Sequence, residues 1–91
     1  MTDYKIEIFN QYCDGIVEEL TFSEQIQEYA KCRAYDELEV CKKLQDGEYY
    51  AKLKRMVGKD YEDVNGMPVV AFKVENAVVR LDNPRLPYCE K

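Results

Sequence analysis

The sequence predicts an α+β protein in which a small antiparallel sheet packs one of its faces against a helix. Three observations predict this: strand-like alternation of apolar residues at the start of the chain, a helical apolar stripe in the middle, and β-branched runs in the last third. The order is strand, strand, helix, strand, strand, strand, and short connections favour antiparallel neighbours. With 91 residues, 46% of them hydrophobic, residues 1–91 are expected to form one domain around a single core.

The first two predicted strands form a hairpin. Residues 4–9 and 16–22 alternate between apolar and polar side chains, as half-buried strands do. Asp14–Gly15 lies between them, and these two residue types accept the positive φ angles of a two-residue turn. In that register both faces of the hairpin carry apolar residues. We therefore expect either a β-bulge that shifts the register or a sheet that is covered on both faces.

A helix is predicted over residues 23–45. Either Thr21 or Ser23 would cap its N-terminus, and Gly47 would end it. An unbroken helix of this length would be about 33 Å long, as wide as the domain. The sequence therefore leaves open a break near residue 35, at Tyr35–Asp36, after which a second helix would begin. The apolar positions at helical spacing are Ile26, Tyr29, Ala30, Ala34, Leu38, Cys41 and Leu44.

Strands are predicted through the last third of the chain. Residues 48–57 form one strand, and residues 69–74 and 77–81 form a hairpin that turns at Glu75–Asn76. A helix over residues 72–81 is the alternative, since a short apolar run has no decisive period. In the first of these strands, period-two alternation places Tyr49, Ala51 and Leu53 on one face and Tyr50, Lys52 and Lys54 on the other.

The four cysteines are expected to be free thiols. The chain opens on a polar segment and has no apolar run near the ~20 residues of a membrane span, so we expect a cytoplasmic protein without membrane contact. Cys32 and Cys41 could not bond on one continuous helix, because they would lie about 13 Å apart on opposite faces. A bond between Cys13 and Cys89 stays open.

Catalysis, a cofactor and a metal site are not expected. Histidine is absent, which removes the commonest general base and the commonest metal ligand. Ser23 is the only serine and lies at a predicted cap. Cys32, between Lys31 and Arg33, is the one position where a thiolate could be stabilised. The cysteine spacings lack the Cys-x-x-Cys pairs of zinc sites, and the isolated glycines form no phosphate-binding pattern.

The distribution of charge is the main indication of function. Residues 1–40 carry ten acidic and three basic residues, whereas residues 41–91 carry eight acidic and ten basic ones. A concentrated negative surface attracts a basic partner. We therefore predict a non-enzymatic protein-binding module, in its sharper form a small acidic inhibitor or accessory factor of the phage or mobile-element type that docks on a basic, nucleic-acid-handling protein. The predicted contact residues are Glu18, Glu19, Glu24, Glu28, Asp36 and Glu39.

Direct binding of nucleic acid is the alternative function. Tyr50, Lys52, Lys54 and Arg55 interleave an aromatic residue with bases, as platforms for single-stranded nucleic acid do. The net charge of −5 disfavours this hypothesis, because phosphate binding needs a basic surface. Tyrosine at the edge of a core with lysines in water would explain the same pattern.

Overall fold

The computed structural model describes residues 1–89 and confirms the α+β prediction. Its sheet has six strands, and a single α-helix lies within the described residues. In chain order the elements are β1 (Thr2–Asn10), β2 (Ile16–Glu24), α1 (Gln27–Glu39), β3 (Gly47–Val57), β4 (Asp60–Asp63), β5 (Val70–Glu75), β6 (Val78–Leu81) and a 3₁₀ turn (Pro87–Cys89).

The sheet is antiparallel throughout, with strand order β2-β1-β3-β5-β6. The short strand β4 pairs with the C-terminal part of β3. β4 is an addition to the predicted order, and it lies between the predicted strands 48–57 and 69–74, where no strand was expected. Helix α1 has 13 residues, and no helix in the described part of the chain has the length and apolarity to cross a membrane.

The core lies between α1 and one face of the sheet. Alternate residues of each strand point to that face, so the buried positions of a strand are two residues apart. The opposite face carries no helix among residues 1–89. The core side chains include Tyr4, Ile6, Ile8, Phe22, Leu53, Val70, Phe72 and Val74 from the sheet, and Ala30, Ala34, Tyr35 and Leu38 from the helix.

The β1–β2 hairpin contains a β-bulge, the first of the two alternatives that its apolar pattern left open. Ile8 pairs with Glu18, whereas the next residue, Phe9, pairs with Ile16, so Val17 is the extra residue. The bulge separates Ile16 from Leu20 and Phe22, which would otherwise lie on the same face of β2. Leu20 and Phe22 lie on the helix side, whereas Ile16 pairs with Phe9 on the uncovered face.

The predicted two-residue turn at Asp14–Gly15 is wrong, because the strands are joined by the longer segment 11–15. Asn10 organises this loop. Its side-chain amide donates to Asp14, its side-chain oxygen accepts from the backbone N–H of Tyr12, and its carbonyl accepts from the N–H of Cys13. Local hydrogen bonds of this kind compete with a tight turn, and the loop lets Cys13 take a φ of 55°.

The predicted helix over 23–45 is too long at both ends. Thr21 and Ser23 lie in β2, which runs through Glu24, and the Ser23 hydroxyl donates to Asp3 instead of capping a helix. Strand pairing with β1 continues to the end of β2, so tertiary hydrogen bonds override the local capping signal. Residue Ile26 precedes the helix without a side-chain cap.

The helix ends at Glu39 without the break considered near residue 35. Residues 40–46 are irregular and carry the chain across to β3. Tyr35 and Asp36 are consecutive helical residues, and the N–H of Val40 still donates to the carbonyl of Asp36. A helix of 13 residues is about 20 Å long, which the domain accommodates without a break.

The C-terminal hairpin is confirmed as β5 and β6, and the helical alternative over 72–81 is wrong. Glu75 pairs with Val78, so the turn residues are Asn76 and Ala77, one position later than predicted. The β-branched run from 69 to 74 alternates between buried and half-exposed positions, which is a strand period.

The cysteine prediction is wrong for two of the four residues. Cys32 of α1 and Cys89 of the 3₁₀ turn form a disulfide, with their Cα atoms 5.0 Å apart. Cys13 is exposed and free, and Cys41 is buried and free. The bonded residues are 57 positions apart in the chain, so only the packing of the C-terminal segment against α1 brings them together.

Candidate functional site

The six predicted acidic contact residues do not gather on one surface. Glu18 and Glu19 are neighbours on β2 and point to opposite faces of the sheet. Glu24 follows at the far end of the same strand, and Glu28 lies in the first turn of α1. Glu19 therefore lies on the uncovered face of the sheet, whereas Glu18 and Glu24 lie on the helix side, as Glu28 does.

Five of these six carboxylates lie beside a basic side chain. Lys5 is 3.2 Å from Glu19, Arg33 is 3.9 Å from Glu24, and Lys31 is 3.3 Å from Glu28. Among the residues that the structure describes, Glu18 alone of the six forms no ion pair. Its carboxylate accepts the backbone N–H of Glu19.

The remaining two predicted acids share one guanidinium. Arg85 contacts Asp36 at 3.2 Å and also binds Glu39. Hydrogen bonds to Glu39 first, and then to Asp36, raise the pKa of Arg85 above its usual value. This basic residue lies in the tail after β6, far from the acids in sequence, and it neutralises them in the fold.

The predicted basic strand divides between the two faces of the sheet. Tyr50, Lys52 and Lys54 share the face that α1 leaves uncovered, as the period of two predicts. Arg55 points to the opposite face, where its guanidinium donates to Gln27 of α1 at 3.1 Å. Arg55 therefore cannot act with the other three.

Lys54 is held by carboxylates of neighbouring strands. It lies 2.9 Å from Asp63 and 3.9 Å from Glu7. The hydrogen bond from Lys54 lowers the pKa of Asp63 below its usual value. Lys52, in contrast, forms no ion pair within residues 1–89, and its ammonium lies 5.9 Å from the centre of the Phe9 ring. Lys52 is therefore the basic group of this strand that is open to a ligand.

An apolar row crosses the uncovered face. Phe9 of β1 pairs with Ile16 of β2 on one side and with Tyr50 of β3 on the other, and Tyr50 pairs with Ala71 of β5. The four side chains lie in line across four adjacent strands. Ile16 is 44% exposed and Tyr50 is 36% exposed. We call these four residues the apolar row.

The apolar row continues into a shallow depression at the same end of the sheet. Its lining comprises Phe9, Tyr50 and Lys52 together with Cys13 and Val69. Val69 precedes β5 and is half-exposed, and Cys13 lies in the β1–β2 loop. The depression is therefore apolar with a single lysine at its margin.

The sequence contained a signal for this surface. Apolar residues on both faces of the first hairpin indicated that the sheet face away from the helix is not purely polar. The row itself could not be assembled from the sequence, because the bulge at Val17 decides which side chains face outward.

No metal-binding cluster is visible: within residues 1–89, no group of three or more His, Cys, Asp or Glu side chains could hold an ion. Comparison with protein-family models, with curated proteins and with solved structures finds no match to this chain. The structure defines a class of protein by its fold. It is a small α+β protein whose sheet packs one face on a helix and carries the apolar row on the other.

Proposed function

We propose that this chain is a non-enzymatic protein-binding module and that the apolar row is the centre of its contact surface. The supporting observation is the alignment of Ile16, Phe9, Tyr50 and Ala71 on a face without a helix. Exposed apolar patches of this kind mark interaction sites, and aromatic side chains contribute most to binding at the centre of interfaces. Lys52 at the margin would contribute a charge-assisted contact at the polar rim.

The partner in this proposal carries an excess of positive charge. The net charge of −5 steers a basic protein towards the chain over long range, even though the acidic groups are dispersed. The sharper form is a small cytoplasmic inhibitor or accessory factor, of the phage or mobile-element type, that acts on a nucleic-acid-handling protein. Size and net charge are what support that form. Docking through one acidic patch is not part of it, because the acids are paired and dispersed.

A pair of matched lysine substitutions tests the proposal. Tyr50→Lys places a charge in the apolar row, and Val57→Lys places the same charge on the same strand at a similarly exposed position, 40%, on the other face. Loss of a central aromatic contact costs about 2 kcal/mol, which is about 30-fold in affinity. We expect proteins captured by wild type to be retained by Val57→Lys and lost by Tyr50→Lys.

The control for this experiment is the stability of the two variants. Urea unfolding of each is compared with wild type, so that loss of capture is not confused with loss of fold. If Tyr50→Lys folds and still captures the same partner as wild type, the apolar row is not the contact surface.

The salt dependence of binding separates long-range electrostatic attraction from the short-range apolar contact. Raising the salt to about 0.5 M screens the long-range attraction, so the association rate should fall while the dissociation rate changes little. A dissociation rate that rises steeply with salt would instead place the binding energy in charge pairs.

A second candidate, binding of single-stranded nucleic acid, is favoured by one observation. Tyr50, Lys52 and Lys54 share the uncovered face with Phe9, which places two aromatic rings beside two lysines. A gel shift on single-stranded oligonucleotides tests it, with the double substitution Lys52→Glu and Lys54→Glu as the comparison. A shift by wild type that the double variant loses would establish this function, and no shift by wild type would exclude it.

A further inference from the structure

The outer edge of the sheet is a second surface, distinct from the apolar row. β2 lies at one end of the strand order, so one of its two edges has no partner strand within residues 1–89. An unpaired edge of this length presents backbone donors and acceptors to any strand that can align with it. The bulge at Val17 limits the straight part of the edge to Glu18–Glu24.

Two side-chain contacts show which backbone groups of β2 face outward. The N–H of Glu19 donates to the Glu18 carboxylate at 3.1 Å, and the carbonyl of Ser23 accepts from Arg33 at 3.0 Å. Pairs in an antiparallel ladder alternate between those that exchange hydrogen bonds and those that do not. Glu19 and Ser23 therefore belong to the second kind, and Thr21, midway between them, belongs to it as well. The N–H and C=O of Thr21 point away from β1.

We infer that this edge joins two copies of the chain through antiparallel pairing of β2 with β2, centred on Thr21. In that register Thr21 lies opposite Thr21 of the second copy, and the two residues exchange both hydrogen bonds. Glu19 lies opposite Ser23 of the second copy, and these also point their backbone groups at each other. Every outward group of this segment then has a partner, which is the self-complementarity that a two-fold contact needs.

The side chains of the paired edges also match. Leu20 lies opposite Phe22 of the second copy, which joins two apolar residues on the helix side of the sheet. Val40, 67% exposed at the end of α1, lines the same groove as Leu20. Dimerisation would remove this apolar surface from water.

Charge complementarity selects a second copy as the occupant. Glu18 lies opposite Glu24 of the second copy, a like-charge pair that repels unless a cation lies between its members, and Arg33 is held 3.9 Å from Glu24 within each chain. Pairing thus brings Arg33 of each copy to Glu18 of the other, where Glu18 otherwise lacks an ion pair within residues 1–89. On pairing, the Glu18 carboxylate releases the Glu19 N–H and Arg33 releases the Ser23 carbonyl, and these two side chains then bind each other across the dimer axis.

Proline at the central position tests the proposal. The N–H of Thr21 has no partner in the β1–β2 ladder, so Thr21→Pro removes no hydrogen bond from the single chain, and edge strands tolerate proline. In the dimer it removes both central donors. Thr21→Val, which keeps the N–H, is the matched control. The measurement is sedimentation equilibrium from about 1 to about 200 µM, since dimer formation depends on concentration.

We expect wild type and Thr21→Val to rise with concentration from the chain mass of 10.7 kDa towards twice that mass, and Thr21→Pro to stay at the chain mass. A wild type that keeps the chain mass throughout overturns the inference. So does a Thr21→Pro variant that dimerises as wild type does. Dimerisation lost in Tyr50→Lys but kept in Thr21→Pro would move the contact to the apolar row and likewise overturn it.

A charge exchange tests the cross-axis pair directly. Arg33→Glu should weaken dimerisation about tenfold or more, because it brings three carboxylates together twice in the dimer, whereas Glu18→Arg, which faces both Glu24 and Arg33 of the other copy, should change it little. The double variant restores opposite charges and should recover most of the affinity. If the double variant is as weak as the sum of the two single changes, Glu18 and Arg33 do not meet and this register is wrong.

Discussion

The turn between β5 and β6 shows how a single carboxylate fixes an irregular segment. Asn76 and Ala77 have φ angles of 53° and 64°, as a two-residue hairpin turn with two left-handed positions requires. Asp46 accepts the N–H of Asn76 at 3.1 Å and that of Ala77 at 3.3 Å. The segment that follows α1 is thereby tied to the far hairpin, although alanine is a poor residue for this conformation.

Replacing Ala77 by glycine should stabilise the protein. A left-handed alanine costs about 1 kcal/mol because its Cβ crowds the carbonyl, and glycine removes that cost. We expect Ala77→Gly to raise the free energy of unfolding by about 0.5–1 kcal/mol in urea titrations. Ala71→Gly, in the extended strand β5, is the control and should lower it. A destabilising Ala77→Gly would mean that the turn residue is not left-handed in solution.

Arg85 should contribute more to stability than a surface charge does. Its side chain is 14% exposed, binds Asp36 and Glu39, and stacks on the Tyr35 ring at 5.6 Å. We expect Arg85→Ala to lower the free energy of unfolding by about 2 kcal/mol, since hydrogen bonds to charged groups exceed neutral ones. Arg80→Ala, at an exposed position of β6, should stay within about 0.5 kcal/mol. Equal losses in the two variants would contradict this role of Arg85.

At the scale of elements, the disulfide joins the single helix of the described chain to the segment after the sheet. Cys32 and Cys89 close a loop of 57 positions that contains β3 to β6. In the chain-entropy account, such a cross-link destabilises the unfolded state by restricting it. For a fold with one helix on a sheet, this bond fixes the C-terminal tail against α1, where Arg85 also acts.

Reduction of the disulfide should therefore lower stability substantially. A closed loop of this length corresponds to about 4 kcal/mol in the chain-entropy model. Urea unfolding with and without a reductant measures the difference. The variant with Cys13→Ser and Cys41→Ser keeps the bond and should lose the same amount on reduction. A thiol titration of unfolded wild type that finds all four cysteines reactive without reductant would show that the bond is absent.

The elements differ in how far the sequence predicted them. Period-two patterns predicted the strands and the shared face of Tyr50, Lys52 and Lys54, because that period is a property of the extended chain. The predicted N-terminal end of the helix was wrong, because Thr21 and Ser23 belong to β2 and pair with β1. Such pairing is a tertiary effect that local capping rules do not include.

Contacts between residues far apart in the chain determine the features of the surface that the sequence did not predict. Asp36 meets Arg85, 49 positions later, and Cys32 meets Cys89. Neither pair has a local signature, because the connectivity of cysteines and the partners of charges follow from the packed fold. Of the predicted acidic contacts, Asp36 and Glu39 are therefore paired by Arg85 from outside the first forty residues, whereas Glu19, Glu24 and Glu28 are paired by bases within that segment.

At the scale of the whole molecule, stability should be highest at the centre of the sheet. β1 is paired along both edges, with β2 and with β3, and its inner side chains Tyr4, Ile6 and Ile8 are buried under α1. β4 and β6 have four residues each and pair along one edge. Because local opening requires fewer contacts to break at short edge strands, protection from hydrogen exchange should fall from the centre to the edges.

Hydrogen exchange therefore gives a map that also reports on the edge of β2. In dilute solution the amides of residues 4–8 should exchange slowest, and those of β4 and β6 should exchange much faster. The Thr21 amide should exchange fast as well, because in the single chain its N–H faces water. Raising the protein concentration should slow Thr21 selectively, since pairing with a second copy gives that N–H an acceptor. A Thr21 amide that is already slow at the lowest concentration would place it in the β1–β2 ladder and contradict the assignment of outward groups.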